Sequence, residues 1–301
     1  MQTLEKIRGK IGTAEELHSV VTTMKGLASI NIRQYEQAVE SLRDYWRTIE
    51  MGMQVLLRDA PHHFEDLTQP GAGPVTVVVL GSDQGMCGPL NREIVEHAAN
   101  HLREQGITSD NCLVAAVGAR AASLLGAEGF APESVFALPD SAPGITERVQ
   151  DVLFQVEAWR EQHNVARIMV YHQEPKTGAG YDPAQRQVLP LDRAWLDKLL
   201  ERPWPTKNIP AYRDSWDGMF TSMLRDYVFT ALYRAFAESL ASENASRLYS
   251  IQAAERNIEE RLDKLRAGFH RQRQASVTEE LLDVVSGFEI MRQGNESSER
   301  H

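Results

Sequence analysis

Every seventh residue from Ile7 is apolar for eight repeats: Ile7, Ala14, Val21, Ala28, Tyr35, Leu42, Ile49 and Leu56. The companion series Leu4, Ile11, His18, Lys25, Ile32, Val39, Trp46 and Met53 departs from apolar character only at His18 and Lys25. A 3.5-residue spacing held this long predicts a coiled-coil seam. Leu17 and Met24 stand beside the two exceptions, so a local shift of the seam is expected there. Gly9, Gly12, Gly26 and Gly52 each cost about 1 kcal/mol against Ala in a helix, so this helix needs a partner. The other end of the chain offers one. No proline occurs from Ser215 to Met291, and Leu248, Ile251, Ile258, Leu262, Leu265 and Phe269 form a second heptad-like stripe. The simplest arrangement is an antiparallel pair. If linkers near 60 and 211 mark one end of it, equal rise sets Met1 level with about residue 270. Val277, Leu281, Leu282, Val284, Val285, Phe288, Ile290 and Met291 then lie on an overhang without an intramolecular partner, and the tail RQGNESSERH is expected to be disordered.

Between the two helices the pattern alternates. Val75–Leu80 and Cys112–Val117 are continuous apolar runs, as in strands buried on both faces. Ser134–Leu138, Arg167–His172 and Gln187–Leu191 read as further strands, the last as an edge. Helices are expected over 91–105, 119–125 and 146–163, and Pro89 sits near the first turn of the earliest of them. Strand–helix alternation predicts a mostly parallel sheet with helices on its faces. The expected fold class is therefore α/β: a long antiparallel coiled coil of N- and C-terminal helices plus a central Rossmann-like domain. Turn chemistry at Pro61, Pro70–Pro74, Pro203, Pro205 and Pro210 divides the chain into 1–59, 60–210, 211–291 and a tail, 292–301.

Composition narrows the function. The 301 residues are 42% hydrophobic and 25% charged, as in a globular protein, and carry a formal net charge of −10. That balance argues against a general nucleic-acid binder, which needs a basic face for phosphates. No run of 18 apolar residues, long enough to span a membrane, occurs, and the start lacks the apolar core of a signal peptide. Cys87 and Cys112, the two cysteines, provide neither a disulfide framework nor a four-thiolate zinc site.

Candidate chemistry is sparse. The loop Ser82–Pro89 joins a buried strand to a helix, where a doubly wound fold places ligands. It has no phosphate-binding lysine and matches neither nucleotide fingerprint, so a structural or contact loop is the better reading. Cys87 reads as a packed thiol. His97 and His101 share a helical face, but Ala98 stands where a zinc-protease helix needs glutamate; an exposed polar face is expected. His62 and His63 are weak evidence for a metal. A dense polar patch, Arg271–Glu280, interrupts the C-terminal apolar stripe, and reads equally as a solvated face or as a partner contact.

Three motifs carry a resemblance. Ala241–Arg247 (ASENASR), then Arg273–Leu281 (RQASVTEEL) with Val284–Gly287, resemble the C-terminal signature of the F-type ATP synthase gamma subunit. Ile7, Arg8, Ile11, Thr23, Met24, Lys25 and Ala28 resemble its N-terminal signature. Ser82, Asp83, Gly85, Cys87, Gly88 and Asn91 resemble its SDxGxCGxxN loop, with Gln84 in place of the usual basic residue and Pro89 in place of glycine. These departures suit a divergent or alternate form. The resemblance implies a non-catalytic rotor shaft, with no cofactor or metal, coupling ion flow to ATP synthesis or hydrolysis. It implies alpha, beta and epsilon subunits and a c-ring as partners, no nucleic acid, and membrane contact only through those partners. The protein would be peripheral, on the cytoplasmic face of the inner membrane. By the same resemblance, Met24, Lys25, Arg273, Gln274 and Thr278 would contact the beta subunits. Two other classes are consistent with the pattern alone: a small-molecule-binding α/β module, for which no ligand constellation is evident, and a coiled-coil scaffold, which leaves the 271–280 motif unexplained.

Overall fold

A computed structural model describes residues 4–59, 68–69, 71–176, 180–208, 210–213 and 215–298, with side chains through Gly287. Pro61, His62, His63 and Pro70 lie outside the described residues. The chain divides into two compact units, 27–250 and 1–26 with 251–301. Two long helices, α1 (Leu4–Asp59) and α6 (Trp216–Ser298), each contribute to both.

The larger unit is built on a five-stranded sheet in the order β3-β2-β1-β4-β5. Strands β1 (Val75–Leu80), β2 (Cys112–Val117), β3 (Ser134–Phe136) and β4 (Arg167–Pro175) are parallel, and β5 (Tyr181–Leu189) runs antiparallel to β4 at the edge. All six residues of β1 and of β2 are buried, as their unbroken apolar runs require. Residues of opposite parity feed separate cores. Val75, Val77 and Val79 pack with α2 (Leu90–Glu104) and α3 (Ala119–Ala127). Val78 and Leu80 pack with α4 (Ile145–His163), α5 (Arg193–Glu201), α1 and α6. The chain winds outward through β2 and β3 with helices on one face, then returns to the other side of β1 through α4 on the opposite face. Right-handed crossovers demand this change of face when the strand order reverses.

Two elements depart from the sequence expectation. β5 begins at Tyr181 rather than Gln187; its first six residues are half-buried or exposed, lack an apolar run and include Pro183, which an edge strand tolerates. α5 was not foreseen. Asp192 caps it, accepting a 3.0 Å hydrogen bond from the Ala194 N–H, and Trp195 stacks obliquely on Trp46 and Tyr227, at 6.3 and 5.3 Å between centroids. Within this unit α6 is buried on every side from Ala235 to Asn244, the mark of a central helix.

The smaller unit is an antiparallel helical pair. Ile7, Ala14, Val21, Ile251 and Leu262 are buried. Glu15 pairs with Arg266 at 2.7 Å, His18 with Glu259 at 3.3 Å and Lys25 with Glu255 at 2.7 Å. This register sets Leu4 level with about residue 276, several residues beyond the equal-rise expectation, which holds only for straight helices. The α6 backbone stays helical past Met291 to Ser298, further than the polar composition of the tail suggests.

Candidate partner-contact surface

The five singled-out residues all fall in the helical pair, in two places. Met24 and Lys25 are half-buried on α1. The Lys25 ammonium donates to Glu255 Oε2 at 2.7 Å, and the Glu255 side chain is 15% exposed. That hydrogen bond, together with the lysine charge, holds the Glu255 carboxyl below the usual carboxylate range, against the opposing effect of burial. Lys25 therefore has an internal partner, which the sequence reading did not identify; Glu255 lies on the same helix as the apolar stripe and carries no motif.

Arg273, Gln274 and Thr278 are exposed on α6. With His270 and Val277 they line a shallow depression, the geometry of a one-sided helical stripe at steps of three and four. The Thr278 hydroxyl donates to the Gln274 carbonyl at 2.9 Å, leaving its side chain close against the helix. The eighteen residues from Glu255 to Arg273 span about 27 Å of helix. The five residues thus fall at two separate places on the helical pair, not in one assembled site. From the patch onward the same helix exposes Val277, Leu281, Leu282, Val284 and Val285, each between 48 and 61%.

The SDxGxCGxxN loop, in the other unit, is locked by its own side chains. Asn91 Oδ1 accepts from the Ser82 N–H at 2.8 Å, and its amide donates to Ser82 Oγ at 2.7 Å and Cys87 Sγ at 3.3 Å. Asp83 accepts from the Ala119 and Leu138 N–H groups, both at 2.8 Å. The Ser246 hydroxyl on α6 donates to the Cys87 carbonyl at 2.6 Å. Gly118, at φ +102°, allows the approach: a Cβ there would lie 2.8 Å from Ser82 backbone atoms. Cys87 is buried among these groups. Ser82, Asp83, Cys87 and Asn91 are all turned inward, toward the loop itself or a neighbouring element, as a structural loop requires.

His97 and His101 do not form an exposed polar face. Both are half-buried against the Tyr171 ring, and His101 Nδ1 lies 2.8 Å from its hydroxyl. Burial, reinforced by the neighbouring His97, lowers the His101 pKa. The sequence did not reveal this packing because Tyr171 comes from β4, far along the chain. A polar layer on the opposite face of the sheet was equally hidden. His172 Nε2 and Glu238 Oε2 lie 2.8 Å apart, Arg234 donates to the same carboxylate at 2.6 Å, and the Ser242 hydroxyl lies 3.1 Å from the Gln173 carbonyl.

The class these features define is a coiled-coil subunit that acts through surfaces offered to other chains, with an α/β domain anchoring its C-terminal helix. The ATP synthase family profile matches residues 3–291, and the chain belongs to the ATP synthase gamma-subunit family, the non-catalytic central rotor shaft of that machine. Solved structures agree in fold. A chain of the Euglena gracilis mitochondrial ATP synthase (OSCP/F1/c-ring, rotational state 3) superposes with a TM-score of 0.63 at 17% identity, over 97% of this chain and 95% of that one. The Euglena gracilis rotor in rotational state 1 gives 0.57 at 16%, over 91% and 98%. The Tetrahymena thermophila central stalk/c-ring gives 0.56 at 18%, over 78% and 99%. No helix among the described residues is long and apolar enough to cross a membrane.

Proposed function

We propose that this shaft carries torque between a membrane ring of c subunits and a hexamer of alpha and beta subunits, with epsilon bound beside it, on the cytoplasmic face of the cell inner membrane. Residues 1–59 and 211–291 serve as the shaft, 60–210 as the globular domain and foot, and 292–301 as a tail. Arg273, Gln274 and Thr278 meet the beta subunits at one level, and Met24 and Lys25 at another. The observation that supports this best is the exposed face of α6, where a polar stripe passes into five uncovered aliphatic side chains. Such a face on a lone helix favours association unless another chain covers it. Lys25 already donates to Glu255, so in this reading it meets a beta subunit with its remaining donors.

The test is Arg273→Ala combined with Gln274→Ala in the reconstituted complex. Both side chains are exposed, so the unfolding free energy of the isolated chain should stay within about 0.5 kcal/mol of wild type. Interfacial charged contacts are worth about 2–5 kcal/mol when one side is removed, so coupling of ATP turnover to rotation should fall well below wild type. Wild-type rotation and turnover in the double variant would refute the contact assignment.

A further inference from the structure

His18 stands at a seam position that the heptad reserves for an apolar side chain, and the structure shows what it faces. Its Nε2 lies 3.3 Å from Glu259 Oε1. Glu255 and Glu259 are one helical turn apart on α6, and a ligand atom from each lies, with one from His18, within 4.8 Å of the others. Zinc binds imidazole nitrogen and carboxylate oxygen at about 2.0–2.2 Å, so neighbouring donors around a tetrahedral ion sit about 3.4 Å apart. The His18–Glu259 spacing already has that value, and with the three ligand atoms within 4.8 Å of one another the Glu255 oxygen needs to move by at most about 1.4 Å. The surroundings favour a cation. A cleft of about 280 Å³ beside the cluster adds Glu15 and Asp263, so four carboxylates stand against Lys25 and Arg266. Lys25 holds Glu255 by Oε2, while Oε1 accepts a long 3.5 Å contact from the Thr22 hydroxyl. One imidazole with carboxylates suits a zinc-class ion better than calcium or magnesium, which prefer all-oxygen shells.

We propose that His18, Glu255 and Glu259 form a binding site for a divalent transition-metal ion of the zinc class, which clips the two helices of the smaller unit together. The inference is independent of the rotor role. It is tested on the full chain in chelator-free buffer, with zinc(II) followed by thermal unfolding and cobalt(II) by its visible ligand-field bands. The expected result is one cobalt ion in a tetrahedral-type spectrum, a shift of the His18 ring resonances, and an unfolding equilibrium moved about tenfold toward the folded state at zinc ten times its dissociation constant. His18→Ala and the near-isosteric Glu259→Gln should each abolish the metal-induced shift, read as the difference with and without metal within each variant. His163→Ala, in the other unit, should retain it. Three results would overturn the proposal: no binding by wild type up to about 1 mM metal, well above the micromolar range of specific sites; an unchanged cobalt spectrum in His18→Ala and Glu259→Gln; or equal stabilisation by magnesium.

Discussion

The two units hold their long helices by different means. In the larger unit α6 is enclosed for ten consecutive residues, Ala235–Asn244, and its neighbours include a sheet with both faces buried. In the smaller unit the same helix buries Ile251 and Leu262 and leaves most of its circumference to solvent, with ion pairs taking the place of a second layer. Burial scales with the number of layers, and local stability follows it. One polypeptide helix can therefore be a rigid core element at one point and a marginal element, awaiting outside contacts, at another.

That contrast can be broken most severely in the larger unit. Phe236→Ala empties a fully buried site on the central helix and should cost about 3–5 kcal/mol in denaturant unfolding; a loss under 1 kcal/mol would mean that the enclosed segment is not the main source of stability. Asn91→Ala leaves the Ser82 N–H without its side-chain acceptor and should cost about 1–3 kcal/mol by the same measurement. The third test uses pH. Burial alone would raise the Glu238 carboxyl, but hydrogen bonds from His172 and Arg234 outweigh it and hold the group below the ordinary range. A depressed folded pKa contributes stability that is complete above the ordinary carboxylate value, about 4.3, and is lost as pH falls through the lower folded value. Glu238→Gln should remove that part of the acid dependence; unfolding midpoints of wild type and variant that fall in parallel between neutral and acid pH would contradict it. Smallest of all, Arg266→Ala removes a pair whose side chains are both half-exposed. It should change stability by at most about 1 kcal/mol, and salt should erase the difference. A larger, salt-insensitive loss, seen as faster amide exchange in residues 4–26, would show that the smaller unit is held more firmly than its burial indicates.

What the sequence disclosed follows the same division. β1 and β2 were legible to the residue because both faces of each strand are covered, which leaves an unbroken apolar run. Seven of the eight leading seam positions are buried, Leu42 being half-buried, so the 3.5-residue pattern was a sound guide to α1. β5 was largely unreadable because an edge strand with one covered flank needs no alternation. α5 was short, and its signal lay in one capping aspartate. Arg273, Gln274 and Thr278 were singled out by the family resemblance alone, because the polar pattern around them reads equally as a solvated face. The engagement of Lys25 by Glu255 could not: it depends on inter-helical register, which a simple length argument misplaced.

The polar layer along α6 has a mechanical consequence. Glu238, Ser242 and Ser246 recur every fourth residue and are fixed to His172, the Gln173 carbonyl and the Cys87 carbonyl. A wholly greasy interface would let a helix creep or roll by small steps, since dispersion contacts re-form at many offsets. Three directional bonds permit one angular setting. Sliding by a single turn, 5.4 Å, would break all three bonds to the domain, although Glu238 keeps Arg234 and Ser242 keeps the Glu238 carbonyl as partners within the helix itself. The helix is keyed to its housing like a splined axle, so twist applied along it is delivered to the α/β domain without backlash.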